Sequence, residues 1–210
     1  MLKEIDTKVA YKNHIAFMSY LVKELGIKNM VEVGVLFGAM SHAVLSRCKN
    51  IEKYYLVDPW KVFMDPPAYT QAQWDVRYKG VVELMKQFGE RANIVRLDYI
   101  EAAKNFEDDS LDMVYLDANH SRDSVDADIK AWWPKVKSTG YIGGHDLTTI
   151  WHGVREAVET NFGHKYYCGN SLKGGKTSTW DGAWIVKKDD IKFYENAFVK
   201  EEHENIHNAV

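Results

Sequence analysis

Cysteine is scarce in this chain of 210 residues, which holds only Cys48 and Cys168. Two cysteines do not build a disulfide framework, and a reducing compartment is the default for such a chain. No run of about 18 apolar residues occurs, so no membrane-spanning helix is expected. A basic excess is missing too. The formal net charge is −3, which argues against a dedicated nucleic-acid binder. The N-terminus lacks the succession of charged, apolar and small residues that marks a secretory signal. No long internal repeat and no low-complexity tract interrupts the chain. These absences predict a soluble, cytoplasmic globular protein whose partner is a small molecule, not nucleic acid or membrane.

What is present is apolar sequence in short, ordered blocks. The chain is 46% hydrophobic and 13% aromatic, enough to bury a core. Its length predicts one domain over 1–210, with an N-terminal helical segment (1–27), a core (28–187) and a polar tail (188–210). Ile15, Met18, Val22 and Leu25 recur at helical spacing, with Gly26 as the stop. Phe17, Met18 and Tyr20 of that helix can pack on the chain's own sheet or on a second copy, so a homo-oligomer is a possible state. Beyond it, strand-like runs alternate with helical ones: NMVEVGV, KYYLVD, ANIVRLD, LDMVYLD and GYIGGHDL. KYYC and GAWIVKK follow without a second helix between them. The alternation predicts an α/β fold, Rossmann-like and doubly wound. Its seven-stranded sheet is mostly parallel, with helices on both faces and the last strand antiparallel.

In such a sheet, ligands lie outside the carboxyl ends of the strands, where the strand order reverses. The residues at those ends are Glu32, Gly34 and Gly38; Asp58; Asp98; Asp117, Asn119 and His120; then His145 and Asp146. Five strand ends carry acid, and all five are expected to face one cleft. The first turn reads G-x-x-x-G, not the G-x-G-x-x-G that cradles a pyrophosphate. Glu32, two residues before the first glycine, would repel a pyrophosphate and suits a cationic amino group. Asp58 is placed to accept hydrogen bonds from a ribose diol, or else starts a turn before Pro59. NSLKGGKT, residues 170–177, falls short of a P-loop because Asn170 replaces the first glycine. A mobile loop is expected there, with Lys173 and Lys176 available to an anionic acceptor. WKVFMDPPAY, with Trp60, Phe63, Met64 and Tyr69, reads as a lid over the acceptor or else only as a packed connection. Trp132 and Trp133 read as core packing.

VEVGVLFGAMS, YYLVDPW, RLDYIEAA, VYLDANHSRDSVDADIKAWWPKVKSTGYIGGHD and GVREAV, in that order, resemble the class I S-adenosylmethionine-dependent methyltransferases. The likeness is greatest to the small-molecule O-methyltransferase branch that includes catechol and macrolide-sugar enzymes. It covers roughly residues 28–187. The resemblance implies S-adenosylmethionine as cofactor. Glu32 and the Gly34–Gly38 turn would hold its methionine part, Asp58 its ribose, and Asp98 with Tyr99 its adenine. Asp117 would stand between methyl donor and acceptor. Tyr99 departs from the small residue, often serine, found there in many relatives.

The acceptor implied is a hydroxyl of a small polar molecule, sugar or phenol-like. Two ways of handling its proton fit. In one, Asp117, His145 and Asp146 hold a divalent metal such as magnesium or manganese. In the other, His145 or His120 is a general base with no metal. His145 stands where relatives carry an acid or amide, and an imidazole there favours manganese, iron or zinc over magnesium. A nucleotide-binding dehydrogenase and a non-catalytic module on the same fold are the alternatives.

Overall fold

Strands apolar on both faces need cover on both faces, and the alternating helices supply it. The computed structural model describes residues 14–63, 68–148, 150–163, 166–173 and 176–190, with backbone alone for 167–173 and 176–181. In chain order the elements are α1 (His14–Glu24), β1 (Asn29–Val33), α2 (Ala39–Arg47), β2 (Lys53–Val57), α3 (Gln71–Met85), β3 (Ala92–Val95), α4 (Tyr99–Ala103), β4 (Leu111–Leu116), α5 (Arg122–Trp132), β5 (Val136–Gly144), α6 (His152–Phe162), β6 (Tyr167–Lys173) and β7 (Lys176–Lys187). The seven strands form one sheet in the order β3-β2-β1-β4-β5-β7-β6. The pairs among β1 to β5 are parallel. β7 runs antiparallel to both neighbours. This is the expected architecture, and strand order reverses between β1 and β4.

Side chains alternate across each strand, so two cores form. Met30, Tyr54, Leu56, Met113 and Tyr115 point to the face covered by α1, α2 and α3. Val31, Val33, Val57, Val114 and Leu116 point to the face covered by α5 and α6. Phe17 and Met18 of α1 are buried in the first core and Tyr20 packs against it, which decides their partner in favour of the chain's own sheet. Trp132 is buried and Trp133 packs beside it, as core. Among the described residues, no helix is long and apolar enough to cross a membrane.

Two expectations are corrected. Residues 169–173 and 176–180 are strand and not loop: β6 and β7 pair there, down to Leu172 with Thr177 and Lys173 with Lys176. Thr177, Thr179 and Trp180 carry the β-branched and aromatic character that favours strand, which the surrounding glycines and lysines obscured. The side chains of Lys173 and Lys176 lie outside the described residues. Trp60, expected in a lid, is fully buried, and its indole N–H donates to the Leu36 carbonyl at 3.1 Å. Phe63 and Tyr69 do stand at the surface, against Trp74. The lid residues Met64, Pro66 and Pro67 lie outside the described residues, as do 1–13 of the N-terminal segment and 191–210 of the tail.

Candidate active site

The first turn of the sheet is built on one close approach. Gly34 has φ +91, and a β-carbon placed on it would lie 2.1 Å from the carbonyl oxygen of Asp117. Only glycine lets the β1–α2 turn pass over the end of β4. The neighbouring strand end presses on this glycine, which also lines the cleft described below. The same junction is held by backbone bonds from Gly34 N–H to Val57 O (2.9 Å) and from Asp117 N–H to Val33 O (2.7 Å). Gly38, with φ 74, precedes α2 and faces Val81, Leu84 and Met85 of α3.

Asp58 ties the turn down from β2. One carboxylate oxygen accepts from the Val35 and Leu36 amides at 2.9 and 3.0 Å, and the other from the Trp60 amide at 2.7 Å. Leu36 and Trp60 both hold positive φ, 54° and 42°, and these bonds help sustain a conformation that disfavours side chains. Both readings of Asp58 thus start from a carboxylate that already organises the turn.

Glu32 is buried at 2% exposure on the α2 side of β1. Its carboxylate accepts from the Ser41 hydroxyl and, at 2.8 Å, from the Tyr54 hydroxyl. Burial pushes its pKa up to about 8. The two hydroxyls oppose that rise, and the charges of Asp117 and Asp58 add to it. Such a carboxyl is held ready for a cation, whose arrival would favour ionisation. Tyr99 opens α4, and burial followed by the nearby Asp58 charge raises its hydroxyl well above the ordinary range. Asp98 is the N-cap of α4, accepting from the Ile100 amide at 3.3 Å, and pairs with Lys61 at 3.2 Å.

Glu32, Gly34, Asp58, Tyr99, Asp117, His120 and Asp146 line one cleft of about 460 Å³ at the switch point. Leu36, Phe37, Phe63, Tyr69 and Trp74 form its apolar wall, and the Arg77 guanidinium lies 3.8 Å over the Tyr69 ring. Of the expected residues, Gly38, Asp98, Asn119 and His145 do not line this cleft, and the Asn119 Oδ1 accepts from the Ser121 amide at 2.8 Å. His145 borders a small cavity behind it, together with Asp117, His120 and Asp128. Asp128 of α5 escaped the sequence reading. Burial, with some help from Asp98, pushes its carboxyl up to about 7.

At the inner end of the cleft, histidines and carboxylates converge. His145 Nδ1 lies 3.3 Å from Asp146 Oδ2 and 3.7 Å from Asp117 Oδ1. His120 Nε2 lies 2.6 Å from Asp146 Oδ2, and its ring stacks on Trp151 with centroids 4.4 Å apart. His14, at the start of α1, sets its ring against His145 with centroids 3.9 Å apart. Burial works against charge on His145, but hydrogen bonds and charge from Asp117 and Asp146 outweigh it and raise its pKa to about 10. Burial also opposes the Asp146 carboxylate, while His120 and His145 hold it well below the usual carboxylate range. Asp146 itself has φ 59, in the left-handed region that disfavours side chains.

Asp117 and Asp146 both stand near His145 Nδ1, but the expected trio does not itself make one metal-sized donor set, and two further imidazoles complete the sets that form. Donor atoms of His14, Asp117 and His145, and of Asp117, His120 and Asp146, fall within 4.8 Å of one another in each set. Mixed imidazole and carboxylate donors suit borderline divalent ions. No signal in the sequence could have brought His14 to this place. It lies more than a hundred residues from Asp117, and only the docking of α1 delivers it.

A family model described as "Methyltransferase domain" matches residues 31–147, more than half of the chain. That span holds every residue of the cleft named above except His14. An uncharacterized protein, y4gI, of Sinorhizobium fredii is 26% identical over 152 residues, 70% of this chain. The chain spans 16% of that relative's length. The O-methyltransferase of Bacillus cereus, solved in complex with SAH, superposes with a TM-score of 0.57 at 13% identity, over 89% of this chain and 86% of that one. Spermidine synthase of Thermotoga maritima superposes with a TM-score of 0.54 at 14% identity, over 84% and 60%. At such identities the superpositions establish the fold and leave the reaction to the site.

Proposed function

The chain belongs to the methyltransferase-domain family, and on that premise we propose that it transfers the methyl group of S-adenosylmethionine to a hydroxyl of a small polar acceptor, a sugar or a phenol-like ring. The family match takes the place of the dehydrogenase alternative. The observation that carries the reading is the gathering of Glu32, Gly34, Asp58, Tyr99 and Asp117 around one cleft at the strand switch point. A cytoplasmic setting accompanies it.

Bound S-adenosylmethionine supplies an activated methyl group. Glu32 would meet the cationic amino group of its methionine part, which favours the ionised carboxyl. Asp58, which fixes the turn, would offer the ribose a carboxylate oxygen. Tyr99 would border the adenine, with Asp98 acting there by capping α4. Asp117 sits at the junction and orients the acceptor hydroxyl, so that alignment supplies much of the acceleration. A divalent metal on Asp117, with His145 and Asp146, would lower the pKa of that hydroxyl. A second reading is favoured by the 2.6 Å contact between His120 and Asp146. There, His120 takes the acceptor proton without a metal and Asp146 orients its ring, an arrangement common to general bases.

Calorimetry with S-adenosylhomocysteine, followed by a screen for transfer of labelled methyl onto sugars and phenols, tests the reading. Asp117→Ala should abolish turnover and leave cofactor affinity measurable. A wild-type chain that binds no S-adenosylhomocysteine would sink it. Chelation that abolishes turnover, reversed by one divalent ion, supports the metal route; full activity after chelation supports His120.

A further inference from the structure

We propose that His14, Asp117 and His145 form a three-donor site for a borderline transition-metal ion, and that the ion pins the N-terminal helix to the strand ends. This rests on reading the cleft as a methyl-transfer centre, and its test separates the two.

Three observations carry it. Each of the three residues offers a donor atom, and those atoms lie within 4.8 Å of one another. Ligands bound at 2.0–2.2 Å around one tetrahedral ion stand roughly 3.3–3.6 Å apart. The 3.7 Å from His145 Nδ1 to Asp117 Oδ1 is close to that and too long for a good hydrogen bond. By contrast, the 2.6 Å between His120 and Asp146 is a direct hydrogen bond, so the second donor set would have to break that bond to share an ion. Asp146 Oδ2 lies 3.3 Å from that same His145 nitrogen but is already bonded to His120, so His14 replaces it as the third ligand of the metal reading given above.

The donor chemistry sets the choice of ion. Magnesium takes oxygen ligands in an octahedron and keeps much of its water. Two imidazoles and one carboxylate instead follow the order of affinities that favours cobalt and zinc, and they leave positions open for an acceptor oxygen. His14 comes from α1, whose Phe17, Met18, Leu21 and Val22 are buried in the core beneath α2. An ion there would link the start of α1 to β4 and to the residue after β5, in addition to that apolar packing.

The test uses the full chain, freed of metal with a chelator. Co²⁺ is titrated while the visible ligand-field bands are followed, and Mg²⁺ and Zn²⁺ are added as competitors. S-adenosylhomocysteine binding to the same metal-free samples is measured by calorimetry. The wild type should develop the intense bands of a low-coordinate Co²⁺ site. Zn²⁺ should displace Co²⁺ at concentrations at least about 100-fold below those of Mg²⁺. His14→Ala should weaken Co²⁺ at least about tenfold, and should lose the rise in melting temperature that Zn²⁺ gives the wild type. Its far-UV circular dichroism and a cooperative urea transition in the metal-free state should show that the variant folds. Co²⁺ binding unchanged in His14→Ala, or Mg²⁺ competing on equal terms, overturns the site. In that case the contact of His14 with the His145 ring is one of packing and not of shared metal ligation. If metal binds as stated but the wild type ignores S-adenosylhomocysteine, the methyl-transfer reading falls and the metal site stands.

Discussion

Gly34→Ala is the most exacting test of the junction beneath the cleft. The added methyl would lie 2.1 Å from Asp117 O, 2.5 Å from Asp117 C and 2.8 Å from Ala118 Cα. All three are backbone atoms, so no side chain can swing aside, and one strand end must retreat by about 1 Å to restore van der Waals distance. The positive φ adds about 1–2 kcal/mol, and forced repacking of a filled site about 1–3 kcal/mol. Together they predict roughly 2–5 kcal/mol lost from unfolding stability. Displacement of Asp117 by that amount predicts a fall in kcat of about 100-fold. Gly26→Ala is the internal control. Its φ is +65, and a β-carbon there meets nothing within 4 Å, so it carries the backbone cost of about 1–2 kcal/mol alone and spares catalysis. Urea unfolding of the metal-free chains, with turnover on any accepted substrate, gives both quantities. Equal loss of stability in the two variants, or full turnover in Gly34→Ala, would refute the claim that this contact sets the position of Asp117.

Glu32 predicts a pH dependence of definite sign. Its pKa stands at about 8 in the folded chain against an ordinary value of 4.5, so between those values the folded state holds a proton that the unfolded state has lost. Stability must therefore fall as pH rises from 4.5 toward 8, by at most about 1.4 kcal/mol per pH unit from this group. Glu32→Gln should flatten that slope in urea unfolding. Because the amino group of the cofactor favours the ionised carboxyl, S-adenosylhomocysteine should bind the wild type more weakly as pH drops below about 8, and should bind Glu32→Gln weakly with little such dependence. Asp58→Ala leaves three backbone amides without their acceptor, each costing about 1–3 kcal/mol if it stays dry. It should melt early even without cofactor, and a melting temperature equal to that of the wild type would leave Asp58 a ribose ligand only. Asp128→Asn, which removes a carboxyl raised by burial to about 7, should stabilise the chain above neutral pH. Thermal melts across pH would reveal the reverse.

The sheet was legible because its signal is local and repeated. Apolar runs ending in acid, each followed by a helical period, fixed the order and direction of β1 to β5. The rule of alternation even implies that Glu32 faces opposite to Val31 and Val33. It does not say that Ser41 and Tyr54 wait there, because those residues arrive from α2 and β2. Asp98 shows the limit of reading strand ends as a set. Its side chain caps α4 and pairs with Lys61, which itself borders the cleft, without lining the cleft directly. Trp60 misled for a related reason. A sharp positive-φ turn folds it inward, against a sequence context of proline and charge. The β6–β7 hairpin was hidden by composition, since its glycines and lysines outweigh in the eye the threonines and tryptophan that extend it. His14 lay beyond any local rule.

The crossing of Gly34 over the carbonyl of Asp117 has a consequence for how such a chain can change over time. Recombination that exchanges the segment after β4 with that of another sequence must bring a backbone of the same path, or the glycine turn beside it no longer fits. Novelty in acceptor choice is thereby steered away from main-chain insertions at 117 and 118. It is channelled toward exposed side chains that border the cleft without bearing on this crossing, such as Phe37, Phe63 and Tyr69. Directed evolution of a new acceptor would do best to randomise that rim and leave the crossing alone.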